Sequence, residues 1–292
     1  ARAACGGVQA DPHWLFACGC LAWTSDPFQL CDMNVRHYIS GYWPLPGNTK
    51  NSQTHYQNLL PGTLAPLREA SLTFYSNDPA VLDWVTELSE DVGLCCEPRL
   101  RRVEDLPAWS LAGALVQACE RMNLEAWPMP RKFGGEKGSK HYWRDFKGSG
   151  PQVYRHLLSI WLSKISLVSD EARRQLDPRN VADPVSALAW MDASLSRFNC
   201  TRRHWRYWRV KDRPGRLSHY RSGMCCFGLP LPMQAGFLTA EACVWPELEA
   251  LFLEVADAAV SMAYAHDEET VLAECWRRRP ELFYAIDAPR RS

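Results

Sequence analysis

The residue with the clearest chemical potential is Asp192, which directly follows the apolar run A-L-A-W-M at residues 187–191. Such a run is typical of a strand that is buried on both faces of a parallel or mixed sheet. Ligands of open α/β sheets bind at the carboxyl ends of the strands, so Asp192 could meet a metal ion or a polar substrate there. It could instead cap the turn that follows, because Asp, Ser194 and Ser196 all suit caps and turns. The sequence leaves both interpretations open.

A second group of ionisable residues is His266, Asp267 and Glu268, at the predicted start of a helix. An imidazole and two carboxylates at a helix mouth could bind a metal ion or exchange protons. An ordinary N-terminal cap is the alternative, because the helix dipole favours acids in the first turn. A third candidate is Lys164, which interrupts the apolar stripe of a strong helix predicted over 151–168. It could contact a ligand, or it could extend to water along its alkyl chain.

The most basic stretch, residues 201–221, interleaves arginines and lysines with Trp205, Tyr207 and Trp208. This composition suits phosphate contact combined with ring stacking, on single-stranded nucleic acid, a nucleotide diphosphate or an anionic acceptor. A solvated loop is the alternative, because 33 basic residues balance 33 acidic ones over the whole chain. The segment G-G-E-K-G-S-K does not match the Gly-x4-Gly-Lys-Ser/Thr loop, which argues against a P-loop ATPase.

The elements that would position these residues alternate between strands and helices. The sequence predicts strands at 35–43, 72–75, 94–100, 187–191 and 222–229, and helices at 51–60, 80–90, 108–123, 151–168 and 241–264. Pro61 and Gly62 are expected to end the first helix, and 128–150 is expected to be a loop or insertion. Strands separated by helices of this length imply βαβ units and a largely parallel sheet.

Composition limits the classes of function. The 292 residues are 47% hydrophobic, which suffices for one large α/β domain or two small ones. Because the net charge is zero, contact with nucleic acid or an anionic membrane would need a local basic patch. No apolar run approaches the roughly 18 residues that span a bilayer. The adjacent cysteines at 95–96 and 225–226 are expected to be small buried hydrophobes, which favours a reducing, cytoplasmic compartment.

Residues 1–32 differ from the rest in having four cysteines, scattered Gly and Pro, and no clear period. Cys18 and Cys20 with a neighbouring Cys or His could be imagined as a zinc site, but the familiar Cys-x2-Cys spacing is missing. The segment also lacks the pattern of a secretory signal. We therefore expect residues 1–32 to be a poorly structured extension, upstream of a natural start at Met33, and residues 33–292 to form the functional domain.

Several short segments in this order resemble one protein family: I-S-G-Y-W with N-T-K-N-S-Q-T-H-Y, L-T-F-Y-S-N, H-L-L-S-I-W-L-S-K, A-W-M-D-A-S-L-S-R-F, H-D-E-E-T-V-L and P-E-L-F. They are similar to the bacterial HtrL/YibB-like glycosyltransferases, including the WlaTC-type proteins, over residues 36–286. The resemblance implies a GT-A-like α/β fold, a single Rossmann-type domain with a mostly parallel central sheet flanked by helices. It implies transfer of a sugar from a nucleotide-diphospho-sugar to a saccharide or other surface-polymer acceptor, in the cytoplasm or peripheral to the inner membrane.

The resemblance also implies roles for single residues. Asp192 would meet the metal and the donor phosphates, with His266 as a second metal ligand. Asp267 or Glu268 would be the catalytic base that deprotonates the acceptor hydroxyl. The residues that would contact the nucleotide or its diphosphate are Ser40, Gly41, Asn51, Lys164, Arg202 and Arg203.

The expected cofactor is Mn²⁺ or Mg²⁺, which would act as a Lewis acid on the departing diphosphate. The family's usual Asp-x-Asp pair is reduced here to Asp192 followed by Ala193 and Ser194. Lys164 with Arg202 or Arg203 could therefore neutralise the leaving diphosphate instead of a metal. The alternative function is a non-enzymatic protein that binds nucleic acid or another polyanion through residues 202–221, although the balanced charge of the chain argues against nucleic acid as a partner.

Overall fold

The computed structural model of the chain describes residues 36–124, 135–177, 179, 187–198 and 206–286. The strands in this part are β1 (Arg36–Gly41), β2 (Ser71–Ser76), β3 (Cys95–Leu100), β4 (Ala187–Met191), β5 (Leu217–Tyr220), β6 (Cys225–Cys226), β7 (Leu229–Pro230), β8 (Gln234–Ala240) and β9 (Phe283–Ala285). The helices are α1 (Gln53–Leu64), α2 (Pro79–Val92), α3 (Trp109–Glu120), α4 (Lys137–His141), α5 (Pro151–Leu176), α6 (Val244–Ala259) and α7 (Glu268–Arg278).

Seven of the strands form one sheet in the order β3-β2-β1-β4-β8-β5-β9. All pairings are parallel except those of β8, which runs antiparallel to β4 and to β5. The prediction of a mostly parallel sheet with helices is therefore confirmed, with β8 as the exception. The chain continues from β1 through β2 to β3 on one side and then returns to place β4 on the other side. The carboxyl ends of β1 and β4 consequently form a topological switch point.

Two hydrophobic layers cover the sheet, and β4 contributes to both because successive side chains of a strand point to opposite faces. Trp190 belongs to the layer that contains residues of α3, α5, α6 and α7. Met191 belongs to the opposite layer, with residues of α1 and α2. Both side chains are at most 1% exposed, and each contributes about 1.5–3 kcal/mol by leaving water. This double burial explains the uninterrupted apolar run that precedes Asp192.

Helix α2 shows how local sequence sets a boundary. Asp78 is its N-cap and accepts a hydrogen bond from the Ala80 backbone N–H at 3.0 Å, while Pro79 occupies the first turn. Gly93 ends the helix in the left-handed conformation at φ 71°. Both signals follow ordinary capping chemistry.

Helix α1 does not end at Pro61, as the sequence predicts, but continues to Leu64 with Pro61 inside it. Leu60 and Leu64 are both fully buried, one turn apart on the same face. Burial of these two side chains outweighs the cost of a proline within the helix, which is about 3 kcal/mol or more. Tertiary packing thus overrides the local helix-stop signal.

The part of 128–150 that the structure describes is helical rather than a loop. Helix α4 is followed directly by a π-helical turn at Tyr142–Lys147. Gly138 suggests a loop in the sequence, but it is needed for packing: a Cβ atom there would lie 2.3 Å from Cζ of the Tyr264 ring. Its backbone N–H donates to the Tyr264 hydroxyl at 2.8 Å. The glycine therefore allows α4 to lie directly against that ring.

Two other expectations about elements are wrong. The strand predicted at 222–229 is a short hairpin of β6 and β7, and the main strands of this region, β5 and β8, lie on either side of it. Cys95 is exposed, and Cys96, Cys225 and Cys226 are only partly buried, so they are not small core residues. The buried cysteines of the described part are Cys119 and Cys275.

In the described residues, no helix is long and apolar enough to cross a membrane. The described residues, between 36 and 286, belong to one compact unit. The prediction that 1–32 is an extension, and the zinc alternative at Cys18 and Cys20, lie outside the described residues.

Candidate functional site

A cavity of about 670 Å³ opens at the carboxyl ends of β1 and β4, which is the switch point of the sheet. Gly41 ends β1 there, and Asp192 follows β4. The walls of the cavity come from α4, α5, the start of α7 and the segments that follow β1 and β4. The charged side chains that line it are six cations against four carboxylates, an excess of two positive charges with histidines neutral: Lys50, Lys137, Lys140, Arg144, Lys164 and Arg197, and Asp192, Asp267, Glu268 and Glu269.

Asp192 is held by three side chains. Its Oδ1 lies 2.8 Å from the ammonium of Lys164 and accepts a hydrogen bond from Trp190 Nε1 at 3.0 Å. Its Oδ2 faces Arg197 Nη2 at 3.4 Å. Burial alone would raise the pKa of Asp192, but the charges of Lys164 and Arg197 outweigh it and lower the pKa to about 2. The carboxylate is therefore ionised at neutral pH and works as a fixed negative charge.

Lys164 connects the strand end to α7, and it is only 3% exposed. Its ammonium lies 2.7 Å from Glu268 Oε1 as well as 2.8 Å from Asp192. Burial would lower the pKa of Lys164, but the two carboxylates more than compensate and raise it. The interpretation of this lysine as a side chain that extends to water is wrong, because α5 carries it into the buried wall of the cavity, where two acids neutralise it.

Glu268 has a different proton affinity from Asp267, its neighbour in sequence. Burial, and the negative charges of Asp267 and Glu269, raise the pKa of Glu268 even though Lys164 acts against them. For Asp267, burial is outweighed by Lys137 and His141, which hold its pKa well below the ordinary value. A carboxylate with a raised pKa is the better proton acceptor near neutral pH. Of these two residues, Glu268 is the better suited to act as a general base.

Asp267 is occupied by structural contacts. Its Oδ1 accepts the Thr270 N–H at 3.0 Å as the N-cap of α7, and the Thr270 hydroxyl completes a capping box. Its Oδ2 lies 2.9 Å from Lys137 Nζ and 2.7 Å from His141 Nε2. The other ring nitrogen of His141 lies 2.6 Å from Asp145. The cap interpretation of Asp267 is thus confirmed, and its contacts with Lys137 and His141 join α4 to α7.

Lys50 and Lys140 are the two cationic side chains of the lining that lack a carboxylate within 4.0 Å among the described residues. Lys50 lies over the Trp161 ring, with its ammonium 4.3 Å from the ring centroid. Burial, together with the neighbouring positive charges of Arg144 and Lys137, lowers the pKa of Lys50 to about 8. Burial and the same two cations also lower the pKa of Lys140. This side of the cavity therefore holds positive charge that the protein does not itself neutralise.

A second cavity of about 340 Å³ adjoins the first and shares with it Gly41, Asn51, Tyr56, Ile160 and Trp161. No charged side chain of the described residues lines it. Aliphatic and proline side chains line it together with four aromatic ones: Tyr42, Trp43, Tyr56 and Trp161. Amide and hydroxyl groups of Asn48, Ser52 and Gln53 complete its walls. We call it the aromatic cavity, and the first one the cationic cavity. Together they form a site with one neutral, ring-lined part and one positively charged part.

The structure brings most of the sequence-predicted site residues together. Lys164, Asp192, Asp267 and Glu268 line the cationic cavity, and Gly41 and Asn51 line both cavities. Ser40 does not face either cavity: it is fully buried and its hydroxyl donates to the Met191 carbonyl at 2.6 Å. Arg202 and Arg203 lie outside the described residues.

His266 does not line either cavity. Its Nδ1 lies 3.2 Å from the Thr270 hydroxyl, and its ring packs against Tyr264 with centroids 4.7 Å apart. Burial lowers its pKa to about 4, so the imidazole is neutral at physiological pH. Its Nε2 is buried and has no hydrogen-bond partner among the described residues. The structure thus does not place this ring beside Asp192 in the cavity wall.

Several residues of the site have no counterpart in the sequence-based prediction. They include Lys50, Lys137, Lys140, His141, Arg144, Trp161, Arg197 and Glu269. A helical interpretation of 137–144 would have revealed four of them, because 137, 140, 141 and 144 fall on one face at helical spacing. The glycines of that segment favoured a loop instead, and so the signal was missed.

A third cleft of about 300 Å³ shares no residue with the other two. It carries Arg206, Arg209, Lys211 and Arg213, beside Tyr284. Arg213 lies over the Tyr284 ring, 4.7 Å from its centroid, and donates to its hydroxyl at 3.2 Å. Part of the basic stretch predicted from the sequence therefore forms a surface cleft, whereas Trp205 lies outside the described residues.

No protein-family model matches the chain, and no curated protein matches it in sequence. Solved structures similar to it include two of the glycosyltransferase GlyE from Streptococcus pneumoniae TIGR4, one of them the apo form. The TM-scores are 0.38 and 0.39, and the sequence identities are 8% and 9%. Each match covers 86% of this chain and 45% of the GlyE chain, so this chain spans less than half of that protein's length. The likeness is distant, and the HtrL/YibB-like family stays a prediction.

Proposed function

We propose that this protein is a glycosyltransferase that uses a nucleotide-diphospho-sugar donor, on a GT-A-like fold of the HtrL/YibB-like kind. The observation that carries the proposal is the direct contact between the aromatic cavity and the cationic cavity at the switch point of the sheet. A nucleoside diphosphate has the same division into a flat neutral ring and an anionic group. The base would stack in the aromatic cavity, and the diphosphate would lie against the cationic one.

The charges support an anionic ligand more specifically than the cavity volume does. Burial and, after it, repulsion by Arg144 and Lys137 lower the pKa values of Lys50 and Lys140. A diphosphate placed beside them would relieve this repulsion and raise both values again. The four carboxylates of the lining repel a diphosphate only weakly, because each of them is paired with a cation of the protein.

In the proposed reaction the bond between the anomeric carbon and a diphosphate oxygen breaks while the acceptor oxygen bonds to that carbon. The acceptor hydroxyl loses its proton to Glu268, the carboxylate of the lining whose pKa is raised. The electron pair of the broken bond stays on the nucleoside diphosphate, and fixed positive charge stabilises it as it forms. Asp267 would hold α4 and α7 in place through Lys137 and His141 rather than accept the proton.

A thermal-shift screen of UDP-, GDP- and CMP-sugars tests this proposal. A donor present at 100 times its Kd would stabilise the protein by about 2.7 kcal/mol. We expect a stabilising diphospho-sugar, followed by release of the nucleoside diphosphate when an acceptor or water takes the sugar. A flat screen, with no stabilisation by any nucleotide, would contradict the proposal.

A second candidate function, binding of a nucleic acid or another polyanion, is favoured by the basic cleft around Arg206, Arg209, Lys211 and Arg213. Such binding would weaken steeply with salt, because each neutralised phosphate releases a counterion. The discriminating measurement is oligonucleotide affinity at 50 and 200 mM salt beside the nucleotide-sugar screen. Tight oligonucleotide binding that collapses with salt, with a flat nucleotide-sugar screen, would favour the binder over the transferase.

A further inference from the structure

We infer that the donor site binds its nucleotide diphosphate with fixed protein cations and without a divalent metal ion. The inference rests on the proposed function and concerns the same cavity. The GT-A-like fold that we propose implies Mn²⁺ or Mg²⁺ at Asp192. Whether a divalent ion fits there depends on which groups already contact the carboxylate oxygens of this residue.

The oxygens of Asp192 already face protein donors. Oδ1 is shared by the Lys164 ammonium at 2.8 Å and the Trp190 indole at 3.0 Å. Oδ2 faces the Arg197 guanidinium at 3.4 Å. A hard divalent cation needs several oxygen ligands, and it would here lie beside two positive charges. The surroundings of Asp192 fit an ammonium group and do not fit a divalent ion.

The neighbouring residues offer no second ligand. Ser194 stands two residues after Asp192, and its hydroxyl accepts a short hydrogen bond from Arg197. Glu268 is held by the Lys164 ammonium at 2.7 Å. Lys137 holds both Asp267 and Glu269. In the described part of the chain, no three His, Cys, Asp or Glu side chains are grouped so that they could hold a metal ion.

The buried ammonium of Lys164 therefore occupies the centre of the acidic pair, Asp192 and Glu268, where a metal would need its ligands. Asp192 acts as a positioning residue that fixes Lys164 and Arg197. The cations that remain able to meet a diphosphate are Lys50 and Lys140, which no described carboxylate approaches within 4.0 Å, assisted by Arg144 at the same wall. At neutral pH the chain itself supplies their charge.

The test is isothermal titration of the full chain with UDP, GDP and CDP, once in EDTA and once in excess MnCl₂. We expect the Kd of the best nucleotide in EDTA to equal that in MnCl₂ within threefold, or to be smaller, because Mn²⁺ bound to the diphosphate lowers the charge that the lysines attract. Binding that is more than threefold tighter with MnCl₂ would overturn the inference while leaving the proposed function intact. Absence of binding under both conditions would overturn the proposed function, and this inference with it.

Asp192→Asn provides a second measurement in which the two mechanisms predict opposite signs. If Asp192 binds a metal, the variant loses nucleotide affinity in MnCl₂. If Asp192 only positions cations, the variant removes a negative charge from the cavity, and nucleotide affinity stays equal or increases. Lys164 keeps Glu268 as a partner in this variant, and an unchanged circular dichroism spectrum would confirm that the fold is retained. A folded variant whose nucleotide affinity falls in MnCl₂ but not in EDTA would overturn the inference.

Discussion

Lys50 should take up a proton when the nucleotide binds, because burial and the nearby positive charges of Arg144 and Lys137 lower its pKa to about 8 in the free protein. At pH 8 about half of the free molecules carry a neutral Lys50, and at pH 7 about one tenth do. A diphosphate beside the ammonium would return the pKa towards its ordinary value near 10.4. Binding should therefore take up about 0.5 proton at pH 8 and about 0.1 at pH 7.

The assay is isothermal titration of the selected nucleoside diphosphate in PIPES, HEPES and Tris at one pH. The slope of the observed enthalpy against the ionisation enthalpy of the buffer gives the number of protons taken up. The groups that also act on Lys50 are Arg144, Asp145, Lys137 and Glu268, and the matched control is therefore Lys50→Arg, which keeps the charge but does not titrate here. Lys140→Met separates the contribution of the other lysine that carries a lowered pKa.

The uptake should fall in Lys50→Arg to the share that Lys140 contributes, and it should persist in Lys140→Met at a reduced or equal value. Above pH 8, nucleotide affinity of the native chain should fall by up to about tenfold per pH unit, because the free lysine loses the proton that the complex retains. A native chain that takes up less than about 0.1 proton at pH 8, or a Lys50→Arg variant that takes up as much as the native chain, would refute the reasoning.

The remaining predictions concern stability, stacking and turnover. The pKa of Lys50 is lower in the folded than in the unfolded chain, so the unfolded chain binds more protons between pH 8 and 10.4. The charged lysine therefore destabilises the fold to its full extent below pH 8. Lys50→Met should raise the free energy of unfolding at pH 7 by about 1–3 kcal/mol, measured by urea titration. Lys164→Met leaves Glu268 without its cationic partner and Asp192 with Arg197 alone, and it should lower the free energy of unfolding by about 3–5 kcal/mol. Lys140 has no carboxylate partner among the described residues, so Lys140→Met should change the free energy of unfolding by less than about 1 kcal/mol. Trp161→Ala should weaken nucleotide binding about 5- to 150-fold through lost stacking. The control Trp276→Ala, on the exposed face of α7, should leave the Kd unchanged. Equal Kd values for both variants would count against a base in the aromatic cavity. Glu268→Gln should lower kcat about 10²- to 10⁴-fold with the donor Kd within threefold, and an active variant would exclude it as the base.

The sequence predicts the centre of the site well, because that part follows from strong local patterns. The apolar run before Asp192 indicates a strand buried on both faces, and the acid after it lies at the strand end as expected. Lys164 is identifiable because it interrupts a stripe that is otherwise apolar. Asp267 and Glu268 are identifiable from the cap of α7. In each case one residue contradicts the hydrophobic period around it, and the cavity explains the contradiction.

The rest of the site could not be predicted, because tertiary contacts decide it. Gly138 is a loop signal in isolation, but it allows α4 to approach the Tyr264 ring, and with α4 come Lys137 and His141. Lys50 lies in a segment without a period, and only the fold brings it over Trp161. Strand β8 contains Gly236 in its interior and follows two prolines, so that its central place in the sheet is hidden from local rules.

The distribution of acids and bases could not be read from net charge either. The chain as a whole is neutral, with 33 residues of each sign. The fold nevertheless collects six cations and four carboxylates around one cavity, and pairs every one of those carboxylates with a cation. Charge balance over the sequence thus conceals a local excess that depends on distances between α4, α5 and α7.

The central claim is that two adjoining cavities bind the two halves of a nucleoside diphosphate, and titration of those halves tests it most directly. The nucleoside diphosphate selected by the screen should be titrated beside its nucleoside and beside pyrophosphate, all in EDTA at pH 7. We predict that the intact nucleotide binds about 5- to 150-fold more tightly than pyrophosphate, because base stacking adds about 1–3 kcal/mol to the contacts of the phosphates. Pyrophosphate that binds as tightly as the nucleotide, or a nucleotide that does not bind at all, would contradict the account.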